Sequence, residues 1–225
     1  IMTRLFDRHG LASNRATKDL VKEIERIQPD IIHIHNIHGY FLNYKILFEY
    51  LAKCESHIIW TVHDCWLYTG HCYHYSFAGC DKWKTHCDNC PQRKEFPTSW
   101  FTDRSRKNFA DKMAAFTSIP KERMTIVPVS EWIQGEMKQS FLKEANFQVI
   151  HNGINLDNFQ IRDSKVIRTK YGLGDRHIIL GVASIWMEEK GWNDFMQMAA
   201  QLRPDEVIVL VGVTEEQKKT LPANV

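Results

Sequence analysis

Two kinds of hydrophobic pattern alternate along the chain. Short runs of apolar, mostly β-branched residues predict buried strands, and longer stretches with an apolar residue every three or four positions predict amphipathic helices. Before residue 155 the patterns predict strands at 30–35, 58–62, 124–129 and 147–150, and helices at 13–28, 43–53, 104–116 and 131–140. Ser13 and Ser130 stand where two of these helices should have their N-caps. Strands that alternate with helices in this way are typical of a parallel sheet built from βαβ units.

The same alternation restarts near the end of the chain, after a polar stretch at 155–175. Strands are predicted at 177–183 and 206–211, with a helix at 191–202 between them. A last helix is predicted to start at Thr214, which can form a capping box with Gln217. We therefore predict an α/β fold with two domains, residues 1–158 and residues 159–225. Two strands rarely form a stable domain by themselves, and no strand precedes the first helix, so we expect a fragment that lacks both ends of a longer protein.

Composition and charge narrow the class of protein. The 225 residues are 44% hydrophobic and 25% charged, which is ordinary for a globular protein. A net charge of +2 without a Lys/Arg block argues against nucleic acid as a partner. The longest nearly apolar run, Ile178 to Met187, is too short to span a bilayer, and residues 1–12 contain no apolar signal segment. We expect a cytoplasmic protein whose six cysteines are reduced thiols or metal ligands.

The loop after the strand at 58–62 contains four cysteines with the spacing C-x7-C-x6-C-x2-C. Four thiolates can hold Zn²⁺ in a closed tetrahedral site, which would stabilise a loop with little core of its own. We therefore predict a structural zinc site in the Cys-rich loop 65–91, with the ligands Cys72, Cys80, Cys87 and Cys90. Two disulfides or free thiols are the alternatives, and His71, His74 or His86 could replace a cysteine. Cys54 and Cys65 are expected to be buried small apolar residues.

Polar and aromatic residues also follow two of the predicted strands. His63 and Asp64 come directly after the strand at 58–62. The strand at 30–35 is followed by Asn36, His38, Gly39 and Tyr40. Within that strand His33 and His35 face the same side, and we expect them to be half-buried structural residues. Neighbouring parallel strands end at the same edge of a sheet, where open α/β proteins bind ligands, so His63 could bind a substrate hydroxyl or phosphate beside the Asp64 carboxylate. Ordinary turn chemistry explains the Asn and Gly residues equally well.

Lys190 and Gly191 lie between a predicted strand and the next helix. A lysine there can hold a phosphate against the free N–H groups and the positive end of the helix dipole. A solvated lysine beside a turn glycine is the alternative. Asn152 and Gly153 form either a simple turn or the hinge and lip of an interdomain cleft. The chain has no G-x-G-x-x-G or Walker A sequence, so a dinucleotide or ATP site of those kinds is not supported.

Taken together, several segments resemble the retaining glycosyltransferases of family 4, which have the GT-B fold. They occur in the family's order and extend over most of the chain: PDIIHIHNIHG (29–39), TVHD (61–64), VPVSEW (127–132), VIHNGINLDNF (149–159), ILGVAS (179–184), EEKGW (188–192) and VIVLVG (207–212). The Cys-rich segment KWKTHCDNCPQ resembles a subgroup found in bacterial polysaccharide biosynthesis.

The resemblance implies two Rossmann-like domains with parallel sheets, both truncated here, that face each other across a cleft. The first would bind the acceptor and the second the nucleotide-sugar donor. His63 would orient the transferred sugar, and Lys190 would stabilise the departing diphosphate as the second catalytic residue. The donor would be bound by Ser184, Lys190, Gly191, Asn152 and Gly153. The acceptor side would comprise Asn36, His38, Gly39, Tyr40, Asp64 and Ser130.

The resemblance also implies a reaction and its partners. A sugar would move, with retention of configuration, from a UDP-linked donor to a glycan or lipid-linked acceptor in cell-surface polysaccharide synthesis. Catalysis would need no cofactor, so a zinc ion would be structural, and a lipid-linked acceptor would draw the enzyme to the inner face of the cytoplasmic membrane. A zinc-stabilised module that binds nucleic acid or protein, and a non-catalytic GT-B scaffold, are the alternatives. We expect the 225-residue piece alone to have little or no transferase activity.

Overall fold

A parallel four-stranded sheet in the order β1-β2-β3-β4 is the centre of the first unit of the computed structural model, which describes residues 2–225. Its strands are β1 (Ile31–Ile34), β2 (His57–Val62), β3 (Met124–Pro128) and β4 (Asn146–Phe147). The central strand β2 pairs in parallel with β1 on one side and with β3 on the other. The α/β class and the parallel pairing predicted from the sequence are confirmed.

Five helices of the described residues accompany these strands, four of them at the predicted places and the first without a prediction. They are α1 (Met2–Leu5), α2 (Asn14–Ile27), α3 (Tyr44–Leu51), α4 (Ser105–Phe116) and α5 (Glu131–Met137), with 3-10 turns at Lys82–Lys84 and Lys121–Arg123. Ser130 caps α5 as predicted, because its Oγ accepts a hydrogen bond from the N–H of Ile133 at 3.2 Å. Ser13 occupies the N-cap position of α2 as predicted, but its side chain does not cap the helix. Its backbone is left-handed (φ 56°), and its hydroxyl donates to the carbonyl of Tyr40 at 2.6 Å.

The core of the first unit is formed by β2 together with α3 and α4. Ile58, Trp60 and Val62 are buried and the residues between them are half-buried, because side chains alternate between the faces of a strand. The ring of Trp60 meets Phe116 of α4 edge-on at 4.8 Å between centroids and Phe48 of α3 at 5.1 Å. Such edge and tilted contacts are the favoured geometry of aromatic pairs. The aromatic cluster therefore fixes β2 and the start of the loop that leaves it.

The second unit, Ile154–Val225, contains a two-stranded parallel sheet of β5 (His177–Val182) and β6 (Glu206–Val211). Its helices are α6 (Lys165–Lys170), α7 (Trp192–Ala199) and α8 (Glu215–Lys218), with a 3-10 turn at Glu188–Lys190. Thr214 and Gln217 form the predicted capping box of α8. The units divide after Gly153, whereas the sequence placed the boundary after residue 158.

Within the part of the chain that the structure describes, every helix is too short or too polar to cross a membrane.

Candidate active site

Two histidines meet where β1 and β2 end. His35 follows β1 and His63 follows β2, and Nδ1 of His35 lies 3.1 Å from Nε2 of His63. The rings stack with their centroids 5.4 Å apart, so one ring donates its N–H and the other accepts it. Both side chains are exposed. His63 is thus held in place through one ring nitrogen, and its Nδ1 is available to a ligand.

The sequence assigned His35 and His33 to half-buried structural positions, and this was wrong. Both are exposed, because β1 is the edge strand of the sheet and one of its faces is solvated. Their rings lie 4.4 Å apart between centroids, and Nε2 of His33 is 2.8 Å from the hydroxyl of Thr61. The position of His35 directly after a strand was the feature of the sequence that could have identified it as a site residue.

Another histidine, His38, pairs with the Asp64 carboxylate that follows β2. Nε2 of His38 lies 2.9 Å from Oδ2 of Asp64, and Oδ1 of Asp64 accepts the N–H of Trp66 at 2.9 Å. The His38 ring also contacts the ring of Tyr73 at 4.3 Å. Asn36 borders a cavity of about 10 Å³ beside this pair, about the size of one water molecule. Because both oxygens of Asp64 have partners inside the protein, this carboxylate shapes the loop after β2.

The other predicted acceptor-side residues are placed less centrally. Tyr40 is exposed, and its hydroxyl accepts a hydrogen bond from Nε of Arg4 at 3.2 Å. Gly39 is half-buried in the same loop. Ser130 follows β3, where its hydroxyl oxygen caps α5. The structure thus joins His38 to Asp64 and His63 to His35, but it gives Tyr40 and Ser130 partners of their own.

The predicted donor-side residues are exposed, except Gly191, which is half-buried. Lys190 ends the 3-10 turn, and Gly191 (φ 78°) is the residue from which α7 starts. Ser184 lies in the turn after β5. These three belong to the second unit, whereas Asn152 and Gly153 end the first unit. Lys190 therefore stands at the beginning of a helix, as the sequence predicted, with its ammonium group accessible to solvent.

A buried polar network that the sequence did not identify lies below the Cys-rich loop. Nδ1 of His71 is 2.7 Å from Oδ1 of Asp7, and both side chains are nearly inaccessible. Lys112 of α4 is 1% exposed and donates to the carbonyls of Trp66 at 2.6 Å and Thr69 at 2.9 Å. Burial lowers the pKa of Lys112 to about 7. In the sequence, only the position of Lys112 indicates its burial, because it lies on the same helical face of α4 as Phe109 and Phe116.

The four cysteines of the loop border one cavity of about 20 Å³. All six thiols of the chain are free, and a hydrogen bond from Cys72 lowers the pKa of Cys90. Among residues 2–225, no three His, Cys, Asp or Glu side chains already have the spacing that holds a metal ion. The zinc site therefore stays a prediction. Cys65 is buried, whereas Cys54 is only half-buried.

His9 adds a titratable group to the buried network. Its two ring nitrogens are buried and make no hydrogen bond to the described residues. Burial lowers the pKa of His9 to about 4. In the unfolded chain His9 takes up a proton near pH 6.5, whereas in the folded chain it does so only near pH 4. The neutral ring therefore contributes about 3 kcal/mol to the free energy of unfolding above pH 6.5, and this contribution should be lost as the pH falls from about 6.5 to 4.

Urea unfolding at about pH 7.5 and about pH 4 measures this loss. We expect His9→Gln to show a smaller loss than the wild type, since glutamine does not titrate. The exposed residue His74 provides the control, and His74→Gln should keep the wild-type pH dependence. Equal pH profiles for His9→Gln and the wild type would contradict the assignment.

Comparison with known proteins identifies the family. Residues 2–158 match the family model described as Glycosyltransferase Family 4. Over 160 residues the chain is 30% identical to WcaC of Escherichia coli, named as a colanic acid biosynthesis glycosyl transferase, and this covers 68% of the chain and 38% of WcaC. The crystal structure of Anabaena HepE in complex with UDP and glucose matches 85% of the chain and 42% of HepE, with 14% identity and a TM-score of 0.47. The chain spans about two-fifths of the length of these relatives.

Proposed function

Because the chain belongs to glycosyltransferase family 4, we propose that it is part of an enzyme that transfers a sugar from a UDP-linked donor to a glycan or lipid-linked acceptor. The similarity to WcaC supports a role in cell-surface polysaccharide synthesis. The proposed reaction retains the configuration of the sugar and uses no cofactor. The enzyme would act in the cytoplasm, in peripheral association with the inner face of the membrane.

The exposed pair of His35 and His63 is the observation that carries this proposal. It lies at the carboxyl ends of parallel strands, where α/β proteins bind their ligands. The contact with His35 limits the rotation of the His63 ring, so its free Nδ1 can meet a hydroxyl of the donor sugar in one orientation. A ring that is positioned before the substrate arrives lowers the entropy cost of reaching the transition state.

Lys190 is proposed to act on the leaving group. A nucleoside diphosphate gains negative charge as its bond to the sugar breaks, and an ammonium group at a helix N-terminus opposes that charge. Ser184 offers a hydroxyl in the same unit. Gly191 is the residue from which α7 starts, and its own N–H already donates to the carbonyl of Glu188 at 2.9 Å. Asn152 and Gly153 are proposed as further donor contacts. With no enzymatic nucleophile, the acceptor would attack on the face from which the diphosphate leaves, which gives retention.

The acceptor is proposed to bind near the loop after β1. The pair of His38 and Asp64 is half-buried and internally hydrogen-bonded, so it holds the shape of the loop. Asn36 and Tyr40 then offer amide and aromatic contacts to a sugar, while Gly39 and Ser130 contribute backbone and hydroxyl groups.

Kinetics of the whole protein with UDP- and GDP-linked sugars test the proposal. We expect Lys190→Ala to lower kcat by about 10²–10³-fold and His63→Ala by at least about 10²-fold. The matched controls are Lys218→Ala in α8 and His57→Gln at the opposite end of β2, which should change kcat by less than about twofold.

NMR of the product should show the anomeric configuration of the donor. An inverted product would contradict retention, and an unchanged kcat in Lys190→Ala would contradict the role of that lysine. Turnover with GDP-linked sugars alone would overturn the assignment of the base.

A further inference from the structure

The four-cysteine cavity has no role in the proposed transfer reaction. Its volume of about 20 Å³ suits one small occupant. A buried water needs two to four polar partners, and thiols are only weak donors and acceptors. Four thiols that border space for a single ion are instead what a soft, thiolate-binding metal requires. The four side chains are Cys72, Cys80, Cys87 and Cys90.

The backbone beside Cys87 suits a charged sulfur. The N–H of Gly70 donates to Sγ of Cys87 at 3.2 Å. Only glycine allows this approach, because a Cβ on Gly70 would lie 2.6 Å from Cβ of Cys87 and 2.3 Å from the carbonyl oxygen of Ser105. Hydrogen bonds of this kind orient metal ligands and favour their ionised form.

Lys112 brings a positive charge to the same region. Its ammonium group is buried and bonded to the carbonyl of Thr69, which precedes Gly70 and Cys72 in the loop. Four thiolates around a divalent cation have two net negative charges, which are unfavourable in a buried site unless a cation lies nearby. The lysine would balance part of that charge.

His71 has a ring nitrogen that lacks a partner at this cavity. Its Nδ1 is bonded to Asp7, whereas its Nε2 is buried without a hydrogen bond among the described residues. His71 is 2% exposed and borders the cavity. An unpaired buried nitrogen is destabilising, which indicates that the cavity beside it is built to hold an occupant.

The loop has little regular structure of its own to hold it in one conformation. Between the end of β2 and the start of α4, its only regular element is the 3-10 turn at Lys82–Lys84. A small aromatic cluster, in which the rings of Tyr75 and Trp83 stack at 4.8 Å, is its local core. A bound metal ion contributes its binding free energy directly to the folding of such a segment.

We propose that this cavity binds one structural Zn²⁺ ion through the thiolates of Cys72, Cys80, Cys87 and Cys90. The ion links the start of the loop to its end next to α4. His71, bonded to Asp7 through Nδ1, borders the same cavity. No three potential ligands among the described residues are yet arranged to hold a metal ion, so ligation requires the cysteine side chains to turn toward the common centre by a change of rotamer.

Metal analysis of the folded 225-residue chain tests the proposal. We expect one zinc per chain, and after exchange with Co²⁺ an intense thiolate-to-cobalt absorption with the visible bands of a tetrahedral site. Cys87→Ser and Cys90→Ser should lose the metal and lower Tm. Cys54→Ser is the matched control outside the loop, and it should keep both.

Because the serine variants of the loop could fail to fold, the wild type is also titrated with a mercurial reagent. Zinc should be released in step with the modification of four thiols. A folded chain that retains no metal, or a mass that shows disulfides among these cysteines, would overturn the site. His71→Gln should retain zinc, and its loss there, or a cobalt spectrum with only three thiolates, would overturn the four-thiolate ligand set.

Discussion

Asp7→Ala is expected to lower the free energy of unfolding by about 3–5 kcal/mol. Asp7 is fully buried, and its carboxylate accepts from Nδ1 of His71 at 2.7 Å and from the N–H of Arg104 at 3.0 Å. Removing the carboxylate leaves both donors buried without a partner. Part of the effect, about 1 kcal/mol, comes from the left-handed backbone at this position (φ 49°), which alanine tolerates poorly.

Two further variants separate these causes in a urea unfolding experiment. Asp7→Asn tolerates the left-handed backbone but has no charge, so its loss should be smaller than that of Asp7→Ala. Asp19→Ala removes an exposed carboxylate of α2 and should change stability by less than about 0.5 kcal/mol. Equal stability of Asp7→Ala and Asp19→Ala would contradict the role of the buried pair.

Gly212→Ala should destabilise the second unit by about 3–5 kcal/mol. Gly212 follows β6 with φ 90°, and a Cβ there would lie 1.8 Å from the carbonyl oxygen of Ala183, which follows β5. The obstacle is backbone, so no side chain can move aside. The turns after the two strands would separate, and Ser184 would move with them.

Hydrogen exchange measured by mass spectrometry localises this effect. Peptides from β5 and β6 should exchange faster in Gly212→Ala, whereas those from β2 should exchange as in the wild type. Gly172→Ala is the matched control, because Gly172 also has a positive φ (63°) but open space around it. It should show the backbone strain alone, about 1 kcal/mol. Equal exchange in the two variants would show that the close approach to Ala183 is unimportant.

The sequence predicted β2 and β3 well. Each of them has a neighbouring strand on both sides, so its apolar residues are buried and form a clear run in the sequence. It failed where a side chain had a tertiary partner. Ser13 has the residue type of an N-cap, yet its hydroxyl bonds to Tyr40, a partner distant in sequence. The helix α6 also escaped prediction, since Lys165–Lys170 is polar and entirely without buried residues, so no apolar period marks it.

The candidate site was predicted in part for the same reason. His63 and Asp64 follow a strand, and position alone identified them. The partner of His63 was missed because β1 was taken for a buried strand, although the order of the sheet leaves it at the edge. Asp7 lies far from the loop in sequence, and Lys112 is a charged residue on a helix, where such residues are usually solvated. Only the fold shows that Asp7 bonds to His71 and that Lys112 bonds to the carbonyls of Trp66 and Thr69.

The contact between His35 and His63 sets an upper limit on the charge of this edge of the sheet. The hydrogen bond between their rings needs one nitrogen with a proton and one without. The pair can therefore hold three ring protons at most, and a fourth would place two N–H groups against each other. While the contact lasts, one of the two facing nitrogens carries no proton, and this is the condition under which His63 keeps its position.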